Sequence, residues 1–228
     1  MRMRLQLAAL LALANLCQAQ VVDRMVAVVN KHVILESELD QAARVELLLQ
    51  GKLLKDGKLV RKDTFAVLDR MIDQALLDQQ IMNQAVAAPT PAELATQIGE
   101  VRKQIPGAAT DEGWKSVLAA YGLTEQDIGD QLASQSRILR FVDLRFRGLV
   151  RVEKDAIDEY YQDKLLPELR KRGAAEPKLA DVSGRIENIL VEQRIDELLA
   201  SWLQTLRSQA HIEKMMAAPA TASAGATP

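Results

Sequence analysis

Two histidines, His32 and His211, are the side chains best suited to chemistry near neutral pH. Both fall on short β-branched stretches that read as neighbouring strands. A metal pair or a pH sensor is one reading of them, and two polar residues on the wet side of a small sheet is the other. Zinc chemistry asks for more ligands than these. Cys17 is the only cysteine, and no His-x-x-x-His pair exists. There is no G-x-S-x-G, no phosphate-binding glycine loop and no dinucleotide fingerprint. Carboxylates are plentiful but sit beside Lys or Arg, as in Glu153/Lys154 and Glu168/Lys171, which is the pattern of solvated helix faces. No catalytic residue, cofactor site or metal site is expected, and the chain reads as a non-enzyme.

The aromatic residues are the next candidates. Trp202 stands inside the apolar stripe of residues 198–206 and reads as a core anchor. Tyr160 and Tyr161 are adjacent, so one of them is expected to be exposed. Phe141 and Phe146 are five residues apart and are expected to point in different directions. Exposed aromatics on a helical cradle suit the binding of unfolded chains, so Phe141, Phe146, Tyr160 and Tyr161 are the expected client contacts. Core packing explains each of them singly as well.

These residues need elements to hold them. Residues 22–40, VDRMVAVVNKHVILESELD, read as strand, tight turn, strand and helix start. Asn30-Lys31 is a connection of hairpin length, and Asn tolerates the left-handed backbone that such a turn needs. Ser37 reads as a helix N-cap with Asp40 as its partner. Helices are then expected to about Gln50, from Asp63 or Thr64 to Ala87, and from Thr90 to Ile105. Three more follow, from Thr110 to Gly122, from Thr124 to about Arg147, and from Lys154 to Lys171. A last helix, residues 181–209, precedes a short strand at 210–214. Thr90-Pro91-Ala92-Glu93 is the clearest start signal, with a capping Thr, a first-turn Pro and a Glu at the third position. Because a lone hairpin is marginal in water, the C-terminal strand is expected to complete a sheet with it, with Ile212 meeting residues 26–29. Val28, Asn30, Ser37, Trp202 and Ile212 are thus the expected structural residues.

The fold class expected is mostly α, a multi-helix domain with a small sheet made from an N-terminal hairpin and a C-terminal strand. Aromatics make up only 4% of the chain, and straight-chain helix formers dominate. Residues 1–19 read as a cleaved signal peptide, with Arg2 and Arg4 ahead of an apolar core and small residues before Gln20. Residues 20–215 read as the domain and residues 216–228, rich in Ala, Pro, Thr and Ser, as a disordered tail. Cleavage would remove the only cysteine, so thiol chemistry is not expected. A formal net charge of −2, more negative after cleavage, argues against nucleic acid as a partner. Residues 51–63 hold two glycines and five basic residues. They read as a solvated connector, and as the only stretch suited to contact with a membrane surface.

Three stretches carry a resemblance. Residues 22–40 resemble the opening of the N-terminal domain of SurA-type periplasmic chaperones and peptidyl-prolyl isomerases, with the pattern V-D-x-I-v-A-V-V-N-x-x-V-I-L-x-S-E-L. Val22, Asp23, residues 27–30, residues 33–35 and residues 37–39 match it, and Met25 replaces the usual Ile. Tyr121-Gly122-Leu123-Thr124 matches that domain's turn into its long helix. Residues 202–212 match its W-[LM]-x-x-L-[RK]-x-x-A-x-[IV] ending. The start of the helix near Lys154 departs from the pattern by lacking a capping Ser or Thr. In that family, parvulin-type isomerase modules interrupt the chain before the last helix. Here the gap holds only residues 173–178, far short of the roughly 50 residues that a small domain needs.

The resemblance implies a periplasmic, ATP-independent holdase without isomerase activity. Its implied partners are unfolded or nascent envelope proteins, outer-membrane β-barrel precursors above all. Two alternatives remain at this point. One is an adaptor that docks a single envelope partner, and the other is a degenerate isomerase. Neither the client nor the oligomeric state is legible.

Overall fold

The computed structural model describes residues 23–52, 54, 59 and 61–216, apart from the side chains of 61–63. The expected signal peptide, nearly all of the expected tail and residues 53, 55–58 and 60 of the basic stretch fall outside the described residues.

The N-terminal stretch folds as a hairpin, β1 (Met25–Val29) and β2 (His32–Leu35). β3 (Ile212–Lys214) pairs antiparallel with β1, so the sheet order is β2-β1-β3. Val29 faces His32 on one side and Ile212 on the other; Val28 faces Val33 and Glu213. The fold is mostly α with this one small sheet, as expected. Asn30 takes φ 58°, the only left-handed non-glycine among the described residues. Lys31 stays at negative φ, which is why the turn closes without a glycine there.

The helices are α1 (Glu36–Leu49), α2 (Arg61–Ile81), α3 (Pro91–Gln104), α4 (Asp111–Tyr121) and α5 (Glu125–Phe146). After them come α6 (Lys154–Tyr160), α7 (Leu166–Lys171) and α8 (Leu179–Gln209). The caps at α3, α4 and α5 are the expected threonines. Thr90, Thr110 and Thr124 each accept a backbone N–H from the third helical residue, and Glu93 and Asp127 return the bond at α3 and α5. Gly122 closes α4 at φ 65°, a conformation that costs glycine little.

Three expectations are corrected. Ser37 is not the N-cap of α1, which begins one residue before it. Glu38 bonds the Leu35 N–H, and Asp23 accepts from both the N–H and the hydroxyl of Ser37. An aspartate ahead of the hairpin thus satisfies a donor at the start of α1, and Asp40 takes no part. α2 ends at Ile81 and not at Ala87. There the Asn83 amide donates to the Gln79 carbonyl at 3.2 Å, and Pro89 disfavours helix in the residue before it. The helix expected over residues 154–171 is broken by a π turn, Tyr161–Leu165, between α6 and α7. Its start at Glu153 has no side-chain cap.

Three apolar clusters hold the elements together. The first joins the sheet to α1 and α2 through Val26, Val29, Ile34, Leu39, Leu68 and Ile72, with Ile212 packed against it. The second joins the C-terminal half of α1 to α4 and the start of α5 through Val45, Leu48, Trp114, Leu118 and Ile128. The third joins the end of α2 to α5 and α8 through Leu77, Ile81, Phe141, Phe146 and Ile195. Polar ties reinforce the return of the C-terminus. Arg207 pairs with Asp73 and donates to the Asp69 carbonyl, while Lys214 pairs with the Asp69 side chain.

Candidate functional site: an open groove under α5

The three clusters meet but do not close. α5 runs from the second cluster to the third, anchored by Ile128 and Leu132 at one end and by Ile138, Phe141 and Val142 at the other. Between these anchors residues 133–137, Ala-Ser-Gln-Ser-Arg, carry no large apolar side chain. This stretch is held by polar contacts instead. Gln74 of α2 donates to Ser134 at 2.7 Å, Gln97 of α3 to Ser136 at 3.0 Å, and Arg137 to Asp78 of α2 at 3.1 Å.

Beneath it lies a groove of about 390 Å³. Ala42, Val45 and Leu49 line it from α1; Val67, Met71 and Leu77 line it from α2. Ala42, Val45 and Leu49 recur at steps of three and four, and Val67, Met71, Gln74 and Leu77 at steps of four and three, so each helix turns one face to the groove. From α5 come Gln131, Gln135 and Ile138. The floor is apolar because each neighbouring cluster contributes its outermost members.

The charged groups on the walls are already matched. Glu46 pairs with Arg70 across α1 and α2, and Asp73 pairs with Arg207 of α8. Asp73 is the reason the Arg207 guanidinium is held more firmly protonated than usual, against the opposing effect of partial burial. The Gln131 and Gln135 amides bond no other described residue. The groove therefore presents an apolar floor, neutralised walls and two free amides.

No family model matches this chain, and no curated protein matches it.

The expected site residues lie elsewhere. Phe141 is fully buried and Phe146 nearly so, which corrects the expectation that they face clients. The two are expected to point in different directions, yet both belong to one cluster and pack against Trp202. Its ring lies 5.7 Å from each, tilted against Phe141 and edge-on to Phe146. Arg145 stacks over Trp202 at 4.2 Å. Trp202 is thus a core anchor as expected. Tyr160 and Tyr161 are both half-buried, so neither is the exposed one. The π turn beginning at Tyr161 shifts the helix phase, and the Tyr161 hydroxyl donates to the Pro177 carbonyl at 2.8 Å.

The histidines are not partners. β1 separates β2 from β3, so His32 and His211 lie on opposite sides of the central strand. His211 lies 2.8 Å from Glu213 instead. Among the described residues no cluster of three His, Cys, Asp or Glu side chains is placed to hold a metal ion. Among the same residues no helix is long and apolar enough to cross a membrane.

Sequence reasoning missed the groove residues. The signal was present as a gap. The apolar stripe of α5 runs Ile128, Leu132 and then nothing large until Ile138, which breaks the three-four spacing of a fully buried face.

Proposed function

We propose that this chain is an exported, ATP-independent holdase that binds segments of unfolded envelope proteins, outer-membrane β-barrel precursors among them, in the groove under α5. The observation that carries the reading is that groove: an open, largely apolar trough on a helical body, with no free charge on its walls. Sites of this size and character suit short apolar segments. Binding the unfolded state lowers the concentration of free, aggregation-prone chain by mass action, and exchange needs only weak affinity. Export to the periplasm is supported by the basic and apolar pattern of residues 1–19 and by the resemblance to the SurA-type chaperone domain at both ends of the chain. The short gap at residues 173–178 supports a mode of action without isomerase catalysis.

The test is light scattering of a urea-unfolded β-barrel precursor on dilution, with and without equimolar protein comprising residues 20–228. Scattering should fall in proportion to added protein without ATP. Met71→Trp, which fills the groove, should remove most of the effect while the protein stays folded. Unchanged scattering with folded wild-type protein would sink the reading.

A further inference from the structure

We infer that the groove recognises an uncharged, extended peptide strand lying along α5, whose backbone amides bond Gln131 and Gln135 while alternate side chains enter the floor around Val45, Met71 and Leu77. The inference rests on the holdase reading and specifies what that site selects.

Spacing is the first argument. Gln131 and Gln135 are one turn apart on one helix face, which separates their backbone positions by about 6 Å along the axis. A β-strand presents peptide groups on one edge at every second residue, about 6.8 Å apart. A strand parallel to α5 therefore brings successive edge-facing peptide groups to the two amides. Glutamine carries both a donor and an acceptor, so each amide can meet the N–H and C=O that one residue presents on that edge. Such recognition reads backbone and not sequence.

Charge is the second. Glu46–Arg70 and Asp73–Arg207 are internal pairs, so the groove has no uncompensated charge to offer an occupant. A Lys or Glu side chain turned into the apolar floor would lose water and gain no partner. The third is polarity. The nearby Gln74 and Ser134 already bond each other, as do Gln97 and Ser136. The two free amides are thus confined to the groove-facing row of α5. The occupant that matches all three is a neutral polypeptide strand with apolar residues at alternate positions.

The experiment uses a fluorescein-labelled peptide of alternating Ser and Leu and protein comprising residues 20–228, read by fluorescence anisotropy. Two further peptides are N-methylated on the amides of one edge or of the other. A fourth and a fifth carry Lys or Glu at two Leu positions. Methylation of one edge should weaken binding ~10-fold and methylation of the other should be tolerated, because N-methylation removes the donors that Gln131 and Gln135 would bond and sets methyl groups against α5. The charged peptides should bind at least ~10-fold more weakly. In the double variant Gln131→Ala/Gln135→Ala, affinity should fall and the two methylated peptides should bind alike. Equal binding of both methylated peptides to the wild-type protein would overturn the inference. So would an unchanged edge preference in the double variant, or a wild-type protein that binds no peptide and that sedimentation shows to be a dimer, with Met71→Trp returning it to a monomer. If scattering is suppressed without edge preference, the backbone reading fails and the holdase stands. If edge preference appears without suppression, the holdase fails and the recognition mode stands.

Discussion

Asn30 and His211, 181 positions apart, are joined by two hydrogen bonds: the Asn30 N–H donates to the His211 carbonyl at 2.7 Å, and the His211 N–H donates to the Asn30 side chain at 2.9 Å. The same side chain donates to Gln79 of α2 at 2.7 Å. One turn residue thus joins hairpin, C-terminal strand and helix while holding a left-handed backbone. Asn30→Ala loses the side-chain bonds and strains the turn, and should cost about 2–4 kcal/mol. Asn30→Gly keeps the backbone and should cost about half as much. Urea unfolding checks both, and equal costs would mean that backbone conformation plays no part.

Trp202 is the second stability anchor. Trp202→Ala removes the partner of both Phe141 and Phe146 and should cost about 3–5 kcal/mol. Arg145→Ala removes only the stacked guanidinium and should cost about 0.5–1 kcal/mol. A Trp202→Ala variant with nearly wild-type unfolding would contradict the assignment of this residue to the core.

Two helical glycines should respond in opposite directions. A methyl group on Gly113 would sit 2.0 Å from the Gly107 carbonyl oxygen, so Gly113→Ala must displace backbone and should destabilise by more than ~2 kcal/mol. Gly99 in α3 has open space around it, and Gly99→Ala should stabilise by about 0.5–1 kcal/mol. Thermal melts of the two variants should shift to either side of the wild type.

The start of α1 should contribute to acid sensitivity. The Ser37 hydroxyl, with the Ser37 N–H, holds the Asp23 carboxyl below the usual aspartate range. A depressed carboxyl stabilises the fold above its ordinary pKa of about 4 and loses that contribution as pH falls through its folded value. Glu93 behaves alike, held down first by the Thr90 N–H, then by the Thr90 hydroxyl and Arg140. Asp23→Asn/Glu93→Gln should therefore lower stability at neutral pH and flatten the acid limb of the urea midpoint. Parallel acid limbs in variant and wild type would rule out this linkage.

Much of the architecture was legible because it rests on local chemistry. Threonine caps and Pro91 mark helix starts, and Gly122 marks a stop, through bonds made within four residues. The sheet was legible because a marginal hairpin needs a third strand and the C-terminus offered one. What was not legible depends on distant partners. Ser37 resembles a cap until Asp23 is seen to occupy that role. Phe141 and Phe146 diverge until Trp202 is placed between them, 56 residues beyond Phe146 by number. The groove was hidden for the same reason, since a gap in one helix's stripe matters only once α1 and α2 are set opposite it.

The central position of β1 has a consequence for synthesis. A chain delivered N-terminus first exposes β1 and β2 early, but the other edge of β1 stays open until Ile212–Lys214 arrive, more than 180 residues later. Contacts this distant in sequence form late and slowly. Until β3 docks, the central strand itself has an unpaired edge, the feature that aggregation and proteolysis act on.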